Sequence, residues 1–100
     1  MKYRVEFEAL AEQDLNEIYD FIAQDSPAAA IGYVRSLSEH CSKLSYMPER
    51  GPRRDDLAPG VRILPFKRSA IVLYRIDDAS VHILRIYRGG RDYAADWHDH

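Results

Sequence analysis

A single cysteine, Cys41, is all the thiol chemistry in this chain, so no internal disulfide can brace it. Its register among apolar helical positions reads as a small buried hydrophobe rather than a reactive thiol. No apolar run is long enough to cross a membrane. The first residues, Met1-Lys2-Tyr3-Arg4-Val5-Glu6-Phe7, alternate like a strand and lack the apolar stretch of a secretory signal, so a cytoplasmic location is expected. No helix-turn-helix or zinc spacing is present either, which argues against sequence-specific readout of DNA.

What is present is ordinary for a folded domain. With 46% hydrophobic and 30% charged residues the chain is globular rather than disordered, and 100 residues make one domain with a single modest core, 1–100. The net charge of −2 hides an asymmetry. Residues 1 to 49 carry four Lys/Arg against nine Asp/Glu, and residues 50 to 100 carry ten against seven, so the halves stand near −5 and +3. The C-terminal half is suited to an acidic partner.

Lys2 to Phe7 is expected as a first strand. An acidic start from Glu8 to Glu12 then leads into a helix reaching about Gln24, with Leu15, Ile18, Tyr19 and Ile22 on its apolar face and Asp14, Glu17 and Asp20 on its outer face. Ser26 can cap a second helix with Pro27 at its first position. Ala30, Val34, Leu37, Cys41 and Leu44 carry that helix to Tyr46 or Met47, where Pro48 stops it. So short a connection makes the pair an antiparallel hairpin. Pro48 to Gly60 reads as a solvated connector, its Arg–Asp pairs worth little.

Three strands follow, Val61 to Phe66, Ala70 to Ile76 and Val81 to Tyr87, joined by turns tight enough to make the ladder antiparallel. The expected fold is therefore α+β: a strand, a helical hairpin, a three-stranded antiparallel meander, and a short helical turn over Tyr93 to Trp97. The strands are apolar on both sides, so both sheet faces want cover, and a chain this short is expected to leave one face for a partner. With even-numbered hairpin loops, Arg62, Leu64, Phe66, Ile71, Leu73, Arg75, His82, Leu84, Ile86 and Arg88 share one face. Val61, Ile63, Val72, Tyr74, Ile76, Val81, Ile83, Arg85 and Tyr87 share the other. Trp97 reads as a pin holding the last turn to the body. The ending Asp96-Trp97-His98-Asp99-His100 has metal-ligand residue types but no ligands converging from elsewhere, so neither metal nor cofactor is expected.

The order of elements, with Asp14-Leu15 and Ile18 in the first helix, Pro27 opening the second and Met47-Pro48 ending it, resembles the ParE branch of the RelE/ParE toxin superfamily. Gly51, Gly60-Val61-Arg62, Tyr74-Arg75-Ile76 and the stretch from Val81 to Ile86 leading to Arg91-Asp92 continue the resemblance over nearly the whole chain. It implies the toxin of a type II toxin–antitoxin pair, neutralised by a ParD-like antitoxin. ParE-type relatives poison DNA gyrase by binding it, and RelE-type relatives of the same fold cut mRNA on the ribosome. On the ParE reading, Arg62, Leu64, Leu73, Arg75, Leu84, Ile86 and Arg88 would receive the antitoxin's C-terminal segment, in or beside a groove along the helical hairpin. Arg88, Arg91, Tyr93 and Trp97 would meet the target. RNA cleavage asks for a base, an acid and cations gathered around one phosphate. Here Leu64 and Ile71 occupy sheet positions that would have to join such a cluster, and the best base, His82, lies away from Arg88, Arg91 and Tyr93. The expectation is a gyrase-binding inhibitor rather than an enzyme, with a ribosome-dependent endoribonuclease as the alternative.

Overall fold

A computed structural model describes residues 2–89 and 93–97. The order is strand β1 (Arg4–Phe7), helices α1 (Ala9–Ala23) and α2 (Pro27–Ser42), strands β2 (Arg62–Phe66), β3 (Ala70–Ile76) and β4 (Ser80–Arg88), and one helical turn, α3 (Tyr93–Asp96). The Ser26 hydroxyl accepts the Ala29 N–H at 3.1 Å and Pro27 opens α2, so that helix begins where local chemistry places it. It ends earlier than its apolar spacing suggests. From Lys43 to Ser45 the chain tightens into a 3₁₀ turn that buries Leu44 and turns Ser45 toward Tyr3. Ser45 O accepts the Tyr3 N–H at 2.9 Å, and Ser45 Oγ donates to Tyr3 O at 2.7 Å. Satisfying both groups of the N-terminal segment outweighs another turn of α-helix.

The sheet order is β1-β4-β3-β2, with β2, β3 and β4 antiparallel and β1 parallel to β4. The helical hairpin crosses one face. Ile18, Leu37, Cys41 and Leu44 meet Leu64, Phe66, Val72, Tyr74, Val81, Ile83 and Ile86 in the main core. Burial of each of these aliphatic side chains contributes on the order of 2 kcal/mol. It also pushes the Cys41 thiol pKa up to about 12, which keeps it an inert packing group.

Two parity changes rearrange the expected faces. Phe66 pairs with Ala70, so the β2–β3 loop is the three residues Lys67, Arg68 and Ser69, with φ 56° at Lys67 and 144° at Arg68. An odd loop turns β2 over relative to β3. Farther on, Leu73 pairs with Arg85 but Tyr74 pairs with Ile83, so Leu84 is an extra residue and β4 reverses its faces there. Leu64, Phe66 and Ile86 therefore lie under the helices, whereas Leu73, Val61 and Tyr87 lie on the opposite side with Ile63, Ile71 and Leu84.

That opposite side is not left for a partner, contrary to expectation. Ala58, Val61, Leu73, Tyr87 and Trp97 form a second buried cluster there. The connector folds back against the sheet, its Arg54 N–H donating to Val61 O at 2.7 Å and the Ile63 N–H to Pro52 O at 3.1 Å, and Trp97 closes the other end. The connector itself is pinned by Tyr74, whose hydroxyl donates to Pro48 O at 2.7 Å and accepts the Gly51 N–H at 2.9 Å. A Cβ on Gly51 would stand 2.3 Å from Ile63 O and 2.7 Å from Tyr74 Oη. Gly51→Ala is thus expected to lower stability by about 2–3 kcal/mol, as overpacking does. Tyr74→Phe, which strands the Gly51 N–H and Pro48 carbonyl, should cost roughly 1–3 kcal/mol. Urea unfolding of the two variants against the parent checks both.

Candidate functional site

Arginines expected to face a partner are largely engaged inside the molecule. Arg62 Nη1 donates to Gly51 O at 2.8 Å and to Glu49 O at 3.3 Å, which ties the connector to the start of β2. Arg75 Nε donates to Pro59 O at 3.3 Å, and its guanidinium lies 5.9 Å from the Trp97 ring centroid. Both act as planar forks that hold loop carbonyls, and Arg75 also covers an aromatic face.

Arg88 differs. At the end of β4 its guanidinium stacks 3.7 Å from the ring centroid of Phe21, a side chain half exposed on α1, and among the described residues it forms no hydrogen bond or ion pair. Stacking holds the fork in place with its N–H donors still available. Phe21 shares the helical hairpin's surface with two other exposed apolar side chains, Leu10 and Ile31. Close by in the fold, Lys67 and Arg68 sit on the loop whose Ser69 O accepts the Gly89 N–H, so the Arg88 end of the sheet is cationic.

The expected apolar anchors are core. Leu64 is 5% exposed, Leu73 0% and Ile86 3%; only Leu84 is half-buried. Among the expected target contacts, Trp97 is 8% exposed and pins the final turn. Tyr93 Oη accepts from Arg54 Nη1 at 2.8 Å, with that guanidinium 5.7 Å from the ring. Arg91, and the His98, Asp99 and His100 ending, lie outside the described residues.

Asp14 is the residue whose placement reverses. Expected on the outer face of α1, it is buried and accepts from Arg85 Nε at 2.8 Å, Arg85 Nη2 at 3.0 Å and the Ile86 N–H at 2.8 Å. Neither Asp14 nor Phe21 has a lone local signal; an acid at helical register with Leu10 and Phe21 betrays itself only once β4 is known to pass beneath.

His82 belongs to a separate cluster at the other end of β4. Its Nε2 lies 2.6 Å from Asp77 Oδ2 in the β3–β4 turn, and its Nδ1 lies 3.5 Å from Glu8 Oε2 at the start of α1. The hydrogen bond to Asp77, aided by Glu8, raises the imidazole pKa above its ordinary value, and His82 together with the Ala79 and Ser80 N–H groups lowers Asp77 to about 2. The ring sits between two carboxylates that favour its charged form, which suits a structural clip and removes it as a free base. Among the described residues no three or more metal-ligating side chains gather into a site.

Comparison with known proteins agrees with this architecture. The family described as the ParE toxin of the type II toxin–antitoxin system, parDE, matches residues 5–93. The chromosomal ParDE toxin–antitoxin system from P. aeruginosa contains a chain similar to this one at 28% identity with a TM-score of 0.76, the match covering 88% of this chain and 97% of that one. The RelBE2 toxin–antitoxin complex from Mycobacterium tuberculosis is similar at 29% identity with a TM-score of 0.65, covering 88% and 99%. No curated protein matches the chain in sequence.

Two outcomes follow from the charged clusters. Asp14→Ala strips partners from a half-buried guanidinium and a buried N–H, so it should lower stability by about 3–5 kcal/mol. The exposed Arg53–Asp55 pair, removed by Arg53→Ala, provides the contrast with a much smaller loss by the same denaturation assay. For His82, a raised pKa means that the contribution is complete below the ordinary value of 6.5 and is lost as pH climbs through the elevated one. Asp77's depressed pKa adds stability that is present above 3.8 and lost as pH falls toward 2. The stability gap between the parent and His82→Gln should therefore be widest in mildly acidic buffer and close in alkaline buffer, as denaturation at a series of pH values would reveal.

Proposed function

The chain belongs to the ParE toxin family of type II toxin–antitoxin systems, and from that premise we propose that it acts by binding, with DNA gyrase as its target and a ParD-like antitoxin as the partner that neutralises it. The family match over residues 5–93 carries this reading. The disposition of the polar residues supports binding over RNA cleavage. His82 and Arg88 stand toward opposite ends of β4, across from Arg75 and Ala70 of β3 and therefore about 17 Å apart along the strand, too far to act on one phosphodiester. His82 is already clipped between Asp77 and Glu8, and Arg62 is committed to the Glu49 and Gly51 carbonyls. A scissile phosphate held at the cationic Arg88 end would not have His82 within reach as its base.

For the antitoxin, the proposed surface is the helical hairpin with the Arg88 end of the sheet. Leu10, Phe21 and Ile31 offer exposed apolar side chains, and Arg88 offers a preorganised fork for a carboxylate. Leu64 and Ile86 support that surface from within instead of touching the partner, whereas Leu73 and Leu84 lie on the opposite sheet face and Arg62 and Arg75 stay with the connector. The target contact is proposed at Arg88, Tyr93 and the segment that follows β4.

Purified protein is expected to block gyrase supercoiling, or to provoke gyrase-dependent DNA breakage, while leaving ribosome-bound mRNA intact. Cleaved mRNA with unaffected gyrase would establish the nuclease instead. Truncating the stack in Phe21→Ala or Arg88→Ala should weaken antitoxin binding by roughly tenfold or more, as loss of a central aromatic or arginine contact does. Calorimetric titration with the antitoxin measures it.

A further inference from the structure

The β2–β3 turn runs against the backbone preferences of its own residues. Lys67 has φ 56° and Arg68 has φ 144°, values that ordinarily select glycine or asparagine. The surroundings enforce them. The Arg68 and Ser69 N–H groups both donate to Phe66 O at 3.0 Å, Ser69 Oγ lies 2.7 Å from Tyr33 Oη on α2, and Ser69 O accepts the Gly89 N–H just past β4. Strain that persists because its neighbours hold it marks a functional segment, and here it displays two cations where a glycine would sit more easily.

A third cation stands beside them. Arg88, Ala70 and Phe66 lie side by side across β4, β3 and β2, so the Arg88 backbone is one to two strand spacings, about 5–10 Å, from the turn. Arg68 is exposed, Lys67 is exposed with its ammonium 5.2 Å from the Phe66 ring centroid, and Arg88 is stacked on Phe21. Among the described residues none of the three side chains forms an ion pair or a hydrogen bond. Phe66 and Ala70, which flank the turn, are buried. A protein interface has a desolvated apolar centre with charge at its rim, whereas a turn that shows cations without that centre suits a polyanion held through charge.

We propose that the β2–β3 turn and Arg88 together bind the phosphate backbone of duplex DNA. The proposal rests on the reading of gyrase as target, since duplex DNA is what that enzyme holds. Arg88, its plane fixed by Phe21, offers paired N–H donors to the oxygens of one phosphate, and Lys67 and Arg68 reach neighbouring phosphates from the tip of the turn. Such contacts position a duplex without reading its bases, in keeping with a sequence that has no motif for base readout.

Fluorescence anisotropy of a short labelled DNA duplex, titrated with the protein over a series of KCl concentrations from low salt upward, measures the contact. Three phosphate contacts give a slope of log K against log [KCl] of about −2.7. Lys67→Gln, Arg68→Gln and Arg88→Gln should each flatten that slope by about 0.9 and weaken low-salt binding, alike on duplexes of different sequence. Arg50→Gln, which removes an exposed cation from the connector, should leave the slope as it is. Arg68→Gly separates strain from binding: it should unfold at higher urea than the parent, because the backbone is relieved, yet lose the same share of the slope. Absence of binding at the lowest salt overturns the proposal. So do a slope that the three glutamine variants leave intact, an equal flattening by Arg50→Gln, an Arg68→Gly protein that unfolds at lower urea, and tighter binding of single-stranded RNA than of the duplex. If Lys67→Gln and Arg68→Gln weaken antitoxin affinity and spare the duplex, the turn belongs to the antitoxin and the phosphate site is ruled out. Gyrase inhibition without duplex binding removes the phosphate site alone; duplex binding without gyrase inhibition removes the target assignment and leaves the site standing.

Discussion

One carboxylate governs how the two layers of this molecule meet. Past Phe7, β1 no longer flanks β4, and the extra residue Leu84 has just reversed the strand's faces. The Ile86 N–H then points at a margin with no strand to receive it. Asp14 supplies the acceptor, and Arg85, brought to the same spot by the bulge, neutralises it through two further hydrogen bonds. A buried charge of this kind contributes little against an apolar substitute of the same shape, yet is costly to break, so its main consequence is geometric. It fixes α1 in register on β4, and with it the position of Phe21 above Arg88.

The other arginines follow the same economy of reach. A guanidinium offers five donors in a plane, and Arg62 and Arg75 use theirs on carbonyls of the connector. Reading cations in an apolar strand as waiting for an external acid is sound in energetic terms, since an unpaired buried charge is expensive. The acids and carbonyls that answer them lie 11 to 71 residues away in sequence. Arg88 keeps its donors free, because an aromatic ring, not an acceptor, is what holds it.

Local chemistry made the elements legible. Ser26 and Pro27 mark the start of α2, β3 spans the residues expected of it, and β2 and β4 differ from expectation by a residue or two at their ends. Parity was not legible. Lys67 and Arg68 take positive φ without a glycine to announce it, and no glycine or proline marks the bulge at Leu84. A single misplaced count in a two-residue period moves whole strands to the opposite face, which is why Leu64 and Leu73, expected on one face, lie on opposite ones. The burial of Asp14 was hidden for the same reason, since its partner arrives through the bulge.

The sealed second face bears on what kind of protein this can be. A domain of this length buries a modest share of its surface, and the simplest way to strengthen it is to let a partner supply missing core. That solution fails for a chain whose action begins when its partner is gone. A toxin released from its antitoxin must stand as a folded molecule, so its own connector and Trp97 have to cover Leu73 and Tyr87, and its own side chains have to close the sheet margin beside Ile86 and along β2. What remains for partners is then a set of exposed side chains on an already complete fold. Exchange of one partner for another at such a surface costs only interface energy and none of the stability of the domain.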